Sequence, residues 1–325
     1  MEAQEFGAKS GAPAVLVTGA SGYLGRAVVK RLVAGTRRVV AFDLRRAKEG
    51  IHPEEVFEVQ GDVRTCDFAA LIAEHGVDTV VHLASIVERP RGMSEAEARD
   101  VDVGGTERLL AACVAGGVEQ LVVTSSGAAY GYHPDTPAWL DEDAPLRGDG
   151  PFEYALNKRL VEELLERARR EHPQLKQLVF RPGTVLGAGT RNQITNLFEQ
   201  AYVLGLRGTA SPFVFVWDED VAACVALGVA ERREGVYNLA GDGVLTLRDI
   251  AAATGKPYVA LPARALRAGL TVLRRLGVSR YGPEQVAFLE HRPVLTNERL
   301  KRDFGYTPQL SSREVFELYA GGHVR

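Results

Sequence analysis

The stretch VLVTGASGYLG, residues 15–25, restricts the fold more than any other part of the chain. An apolar run leads into Gly19, Gly22 and Gly25, and an amphipathic segment follows at once. A strand that stops on a glycine turn and hands over to a helix is the first half of a βαβ unit. The glycines permit the tight turn, let backbone approach an anion such as a pyrophosphate, and let helix pack on strand. The chain around it repeats the arrangement. Short β-branched runs at 14–18, 38–43, 56–60, 78–84, 120–126 and 177–180 alternate with segments near 22–34, 66–75, 95–116 and 152–171, where apolar positions recur at three and four. That alternation predicts an α/β fold, a Rossmann-type doubly wound parallel sheet with helices on both faces.

Beyond residue 183 the rhythm loosens. Helices are expected near 192–205, 219–230, 263–276 and 311–320, with strands at 213–217 and 236–239, which suggests a smaller, mostly helical substrate lobe. The expected division is a lead-in at 1–12, a dinucleotide-binding domain from 13–183 plus about 219–251, and a substrate-binding lobe from about 184–218 plus 252–325. The longest loop-like stretch, 133–151, runs straight into the segment PFEYALNK and is a natural rim for a site.

A net charge of -3 gives no basic excess for a nucleic-acid or anionic partner, so a small-molecule substrate is expected, with no nucleic acid and no membrane. Cys66, Cys113 and Cys224 are scattered and lack CxxC spacing. No metal site is expected from them, and they fit the reduced thiols of a cytoplasmic protein. The most membrane-like stretch, 261–278, is broken by Arg264, Arg267, Arg274 and Arg275, which rules out a span. Leu266, Leu270 and Leu273 form a helical stripe there, read as a lid or packing helix, with binding to a membrane surface as the lesser alternative.

Several polar residues sit where strands end. Asp43 closes the second strand, about 20 residues past the glycines, where a carboxylate accepts hydrogen bonds from an adenosine ribose and repels a 2′-phosphate. NAD is favoured on that ground, while Arg45 and Arg46 directly after it leave NADP open. Asp62 follows the third strand and is placed to meet the adenine. Tyr154 and Lys158 lie one helical turn apart on one face. A free phenol has a pKa near 10, with ~0.1% ionised at neutral pH, and a lysine at that spacing could pull it down to ~7–9. The tyrosine then serves as acid and base for a carbinol or carbonyl. His82 is read as a packed, hydrogen-bonded histidine, since no second ligand lies near it in sequence.

Read in order, TGASGYLG, GDV (61–63), HLAS (82–85), DVGGT (102–106), VVTSSGAAYG (122–131), YALNK (154–158), RPGTVLG (181–187) and DVA (220–222) resemble the extended short-chain dehydrogenase/reductases, the group containing the NAD-dependent epimerases and dehydratases. With GVYNLAGDGVLTLRDIA (235–251) and NERLKRDFGYTP (297–308), the resemblance covers nearly the whole chain. It implies that Ser126, Tyr154 and Lys158 form the catalytic triad, Ser126 donating to the substrate oxygen and Lys158 also holding the nicotinamide ribose. It implies cofactor contacts at Gly19, Ser21, Gly22, Tyr23, Leu24 and Gly25 in the first turn. Further contacts are implied at Asp43, Arg45, Asp62 and Val63, at Leu83, Ala84 and Ser85, and at Pro182, Gly183 and Val185. Substrate contacts are implied for Ser126, Thr184 and Phe213, while Tyr130 either lines the substrate site or packs in the core. A homodimer through the helices near 95–116 and 152–171 is also implied.

Departures from the family narrow the substrate. Gly127 and Ala128 stand where 4,6-dehydratases carry an Asp-Glu pair, so that elimination lacks its acid and base. Thr184 replaces the asparagine that sugar-nucleotide epimerases present to the diphosphate, and Phe213 replaces an arginine. Arg191 and Arg207 are the candidates to substitute for it. Phe213, Phe215 and Trp217 imply an apolar pocket. Asp102 stands where the family has asparagine. The leading expectation is hydride transfer between nicotinamide and a carbinol or carbonyl carbon of a small non-nucleotide substrate. A nucleotide-sugar epimerase resembling UDP-galactose 4-epimerase, with retained NAD, needs the same triad and stands as the alternative; a non-catalytic cofactor-sensing regulator is the minor one.

Overall fold

The computed structural model describes residues 13–35, 37–46, 55–192, 194–278 and 282–323; the lead-in expected at 1–12 lies outside them. The chain opens with β1 (Ala14–Thr18), α1 (Tyr23–Ala34), β2 (Arg38–Asp43), β3 (Phe57–Gln60), α2 (Phe68–His75) and β4 (Val77–His82). It continues with α3 (Glu95–Arg99), a π turn at Asp100–Gly104, α4 (Gly105–Ala115), β5 (Gln120–Thr124), α5 (Glu153–Glu171) and β6 (Lys176–Pro182). The expected helix near 95–116 is therefore real but carries one wider turn at its centre.

Residues 184–323 supply β7 (Thr184–Leu186), α6 (Thr195–Glu199), β8 (Val203–Leu206), β9 (Phe215–Trp217), α7 (Asp218–Ala230) and β10 (Gly235–Leu239). They end in α8 (Leu247–Thr254), β11 (Tyr258–Leu261), α9 (Ala263–Arg275), α10 (Gln285–Glu290), α11 (Glu298–Arg302) and α12 (Ser312–His323). The helix expected over 192–205 is corrected: only α6 is helical, and β8 is a strand paired in parallel with β11. A four-residue apolar run has no period of its own, and its partner arrives some fifty residues later, so local pattern cannot assign it.

Seven strands form one parallel sheet in the order β10-β6-β5-β4-β1-β2-β3. The alternation within each strand divides the core. Val15, Val17, Val39, Ala41, Val122 and Phe180 pack on α1 and α7, while Leu16, Val40, Phe42, Val80, Val123 and Val179 pack on α2, α4 and α5. The sheet is thus apolar on both faces, as a strand covered by helices on both sides requires. Connections pass to opposite faces on either side of β1, which opens a crevice at the carboxyl ends of β1 and β4. A third core, centred on Phe198, Phe213, Phe215 and Phe316, joins β7 to β9 with α6, α8, α10 and α12.

Candidate functional site

The glycine turn is built as the sequence predicts. Gly19 has φ 72°, in the left-handed region, and a Cβ there would lie 2.7 Å from the Ala84 nitrogen, so the end of β1 packs directly on the HLAS segment after β4. A Cβ on Gly25 would fall 2.1 Å from the Gly19 carbonyl oxygen. The N-cap of α1, Gly22, has no side chain to cap the helix, so its first-turn N–H groups remain open to an anion. The Asp43 carboxylate accepts from Ser21 N–H and Arg45 N–H, each at 3.0 Å, which fixes it at the mouth of a cleft it shares with Ser21, Arg45 and Gln60. These features fit a dinucleotide. Asp62 differs: the Arg64 guanidinium grips both its oxygens and holds its carboxyl below the usual range, committing it to its own loop. Tyr23 donates its hydroxyl to Asp218 and accepts from Thr190 at 2.8 Å, and Leu24 packs into the core behind the turn.

At the end of β5 the side chains alternate sharply. Ser125 turns inward and donates to Glu162 at 2.6 Å, whereas Ser126 begins a short 3-10 turn, accepts from Ala128 N–H at 3.1 Å and shares a hydrogen bond with Tyr154. Lys158 is buried, donates to the Thr124 carbonyl at 3.1 Å and sits 5.7 Å from the Tyr154 ring centre. Its effect on the phenol is a correction. Burial raises the Tyr154 pKa, the Ser126 hydrogen bond opposes this, and the Asp102 carboxylate raises it further. Burial likewise depresses the Lys158 ammonium, against the pull of Asp102 and Glu162. Asp102 is almost fully buried, accepts from Ile86 N–H at 2.8 Å, and has its own pKa raised by burial against the Lys158 charge. Burial is the largest of these effects, and Tyr154 keeps its proton at neutral pH.

His82 is the packed histidine the sequence predicts. Its ring bridges Thr18 at 2.6 Å and Thr106 at 3.0 Å, and burial, with help from the Lys158 charge, pushes its pKa to about 3. The unfolded chain takes up a proton near pH 6.5 and the folded chain does not, so the stability tied to this residue is lost as pH falls from 6.5 towards 3. The unfolding free energy of wild type relative to His82→Gln is therefore expected to shrink by up to ~1.4 kcal/mol per pH unit below 6.5. Urea titrations at successive pH values measure it, and a pH-independent difference would contradict a neutral His82.

Two of the residues expected near substrate lie in the core. Tyr130 is buried, donates to Asn238 and the Asp141 carbonyl at 2.9 Å, and accepts from Arg181 at 2.8 Å; these partners come from distant segments and draw it into the core. Phe213 and Phe215 are also fully buried and stack on one another at 5.8 Å. The other face of Phe213 carries the guanidinium of Arg292, 3.8 Å from the ring centre, with Phe288 at 4.3 Å on the same group. Arg292 donates to Thr184 at 3.2 Å, while its Nε and Nη1 have no partner among the described residues. Burial lowers its pKa to about 10, so it is charged at neutral pH. Tyr132 joins this group to the Tyr154 helix, stacking on Phe288 at 5.3 Å and on Phe152 at 4.5 Å. Neither Arg191 nor Arg207 does this; Arg207 donates to the Ala260 carbonyl.

Val63 is buried against Gly105, Leu83 follows β4 with its N–H on the Thr18 carbonyl, and Ser85 reaches Asp102. Pro182 ends β6, Gly183 donates to the Leu239 carbonyl, and Val185 packs on the core from β7. Among the described residues no cluster of three or more His, Cys, Asp or Glu is able to hold a metal ion, and no helix is long and apolar enough to cross a membrane.

This sheet and the residues at its carboxyl edge are those of an extended short-chain dehydrogenase/reductase. More narrowly, residues 15–240 match the NAD dependent epimerase/dehydratase family, and the chain belongs to it; its cofactor is NAD. Among curated relatives, the uncharacterized protein Rv0501 of Mycobacterium tuberculosis (strain ATCC 25618 / H37Rv) is 26% identical over 95% of this chain and 83% of its own length. The 2-alkyl-3-oxoalkanoate reductase of Stenotrophomonas maltophilia (strain K279a) is 29% identical, over 92% of this chain and 96% of its own length. Among solved structures, MoeE5 in complex with UDP-glucuronic acid and NAD superposes with a TM-score of 0.73 at 24% identity, covering 95% of this chain and 98% of that one. That last likeness concerns the fold.

Proposed function

We propose that the chain reduces a ketone, or oxidises the matching alcohol, in a small non-nucleotide substrate that carries one anionic group beside an apolar body. The observation that carries this reading is Arg292: a charged guanidinium between two phenyl rings, with two nitrogens unpaired among the described residues, one helix away from Tyr154. An unpaired buried cation is costly unless an anion meets it. A single guanidinium suits one carboxylate, and a 3-oxoalkanoate, as in the name of the Stenotrophomonas relative, is a ketone with a carboxylate close by. NAD, when bound, exchanges the hydride. The chain's own residues hold the pyrophosphate on the Gly19, Gly22 and Gly25 turn and the ribose on Asp43. Ser126 polarises the substrate oxygen, and Tyr154, protonated at neutral pH, gives that oxygen its proton. The homodimer and the cytoplasmic location belong to the same reading.

A nucleotide-sugar epimerase is the competing reading, since Arg292 could equally meet one phosphate of a diphosphate. Two incubations separate them: NADH with a 2-alkyl-3-oxoalkanoate, and NAD with UDP-glucose. Loss of the reduced-nicotinamide absorbance matched one-to-one by hydroxy acid supports the proposal. Formation of UDP-galactose with no net change in that absorbance overturns it. In the first assay Arg292→Met is expected to raise KM by ~10–100-fold, the loss of one or two charge-assisted hydrogen bonds.

A further inference from the structure

Helix α9 uses only part of its apolar arc for the fold. At about 100° per residue, Ala263, Leu266 and Leu270 share one sector and pack on the third core. The adjoining sector holds Val272, Leu273 and Leu276, exposed by 55%, 41% and 69%, and Val278 just beyond the helix is exposed by 72%. No residue of α9 is buried. The polar arc carries Arg264, Arg267, Arg274 and Arg275, and Ala263–Arg275 contains no carboxylate. Arg267 and Arg274 turn to α10 and pair with Glu290 and Glu284. Arg264 and Arg275 are exposed and make no ion pair among the described residues.

We propose that this face of α9 docks in the plane of an anionic lipid bilayer. An apolar strip flanked by arginines is the pattern of a helix lying at a membrane interface, and thirteen residues, about 20 Å of helix, are too few to span one. A second copy of the chain is the poorer occupant. A two-fold contact sets the same patch against itself, which would bring the arginines of one copy towards those of the other, whereas lipid phosphates neutralise them. The position also has a use. α9 is tied by its salt bridges to α10, and Phe288 of α10 touches both Arg292 and Tyr132, so the docking face lies one helix from the candidate substrate site.

The test uses the full chain in flotation with two vesicle preparations, phosphatidylcholine alone and an equimolar mixture with phosphatidylglycerol. At low salt, at least tenfold more protein is expected to float with the mixed vesicles, and added salt should weaken the binding. Both mutated leucines are exposed, so Leu273→Glu/Leu276→Glu should fold, and unchanged NAD affinity would verify this. It is expected to lose at least tenfold in vesicle binding. Failure of wild type to float with mixed vesicles overturns the proposal, as does equal flotation of the double variant. A wild-type oligomer that the double variant dissolves would assign the face to a second copy and overturn it too.

Discussion

Tyr154→Phe is expected to lower kcat by ~10²–10⁴, the range that one positioned acid or base contributes, while cofactor affinity changes far less. The variant keeps the ring beside Lys158 and removes only the hydroxyl that hydrogen-bonds Ser126. Steady-state turnover with the 2-alkyl-3-oxoalkanoate proposed above, beside a fluorescence titration of NADH, makes the comparison. Wild-type turnover in the phenylalanine variant would remove Tyr154 from the chemistry and with it the oxidoreductase reading. The structure adds a direction to this expectation. Because burial raises the Tyr154 pKa, the phenol stays protonated, which suits donation to a carbonyl oxygen better than abstraction from an alcohol. Reduction at neutral pH is the expected favoured assay, and oxidation should gain as pH rises.

The second large effect falls on stability. Glu162 and Arg181 are buried, and the guanidinium donates to both carboxylate oxygens at 2.6–2.9 Å while Ser125 donates to one of them. Glu162 lies one turn beyond Lys158, so this cluster docks α5 onto β5 and β6. Glu162→Ala leaves Arg181 buried without its main partner and is expected to cost ~3–5 kcal/mol, read from the urea midpoint with the slope unchanged. Replacing both partners, as Glu162→Leu/Arg181→Met, should recover part of that loss, since an apolar pair of similar volume removes the unpaired charge. Full recovery is not expected, because Arg181 also donates to Tyr130 and to the Glu142 carbonyl. Single and double variants of equal stability would show that the charge pair is not what holds α5 in place.

Local pattern carried the sequence reading as far as local forces decide the structure. The glycine turn, Asp43 at the end of β2 and the Tyr154/Lys158 spacing each lie within one βα unit, and all are found where the sequence puts them. Tyr130 and Phe213 were assigned to substrate from a motif, yet their surroundings are set by Arg181, Asn238 and Phe215, which lie elsewhere in the chain. Arg292 was missed for the same reason. It sits between α10 and α11, and it meets Thr184 across 108 positions of sequence. One trace of it was legible: a lone arginine in VAFLEHRPVL, where Val286, Leu289, Val294 and Leu295 are all buried. With Glu290 committed to Arg267, a cation set among these buried apolar residues asks for another anion. Asp102 is visible as a departure from the family, but its effect on Tyr154 depends on the burial of both groups, which only the fold supplies.

The position of β10 bears on how the protein is made. This strand pairs with β6, yet the chain leaves the sheet after Pro182 and returns only at Gly235, having laid down β7, β8 and β9 in between. During synthesis the sheet therefore stands for some fifty residues with β6 as a bare parallel edge, its ladder groups unpaired and its side chains strongly apolar. Such an edge is a template for intermolecular pairing. Expression yield should accordingly be limited less by the stability of the finished fold than by how quickly the ribosome and any holding chaperone carry the nascent chain past Leu239.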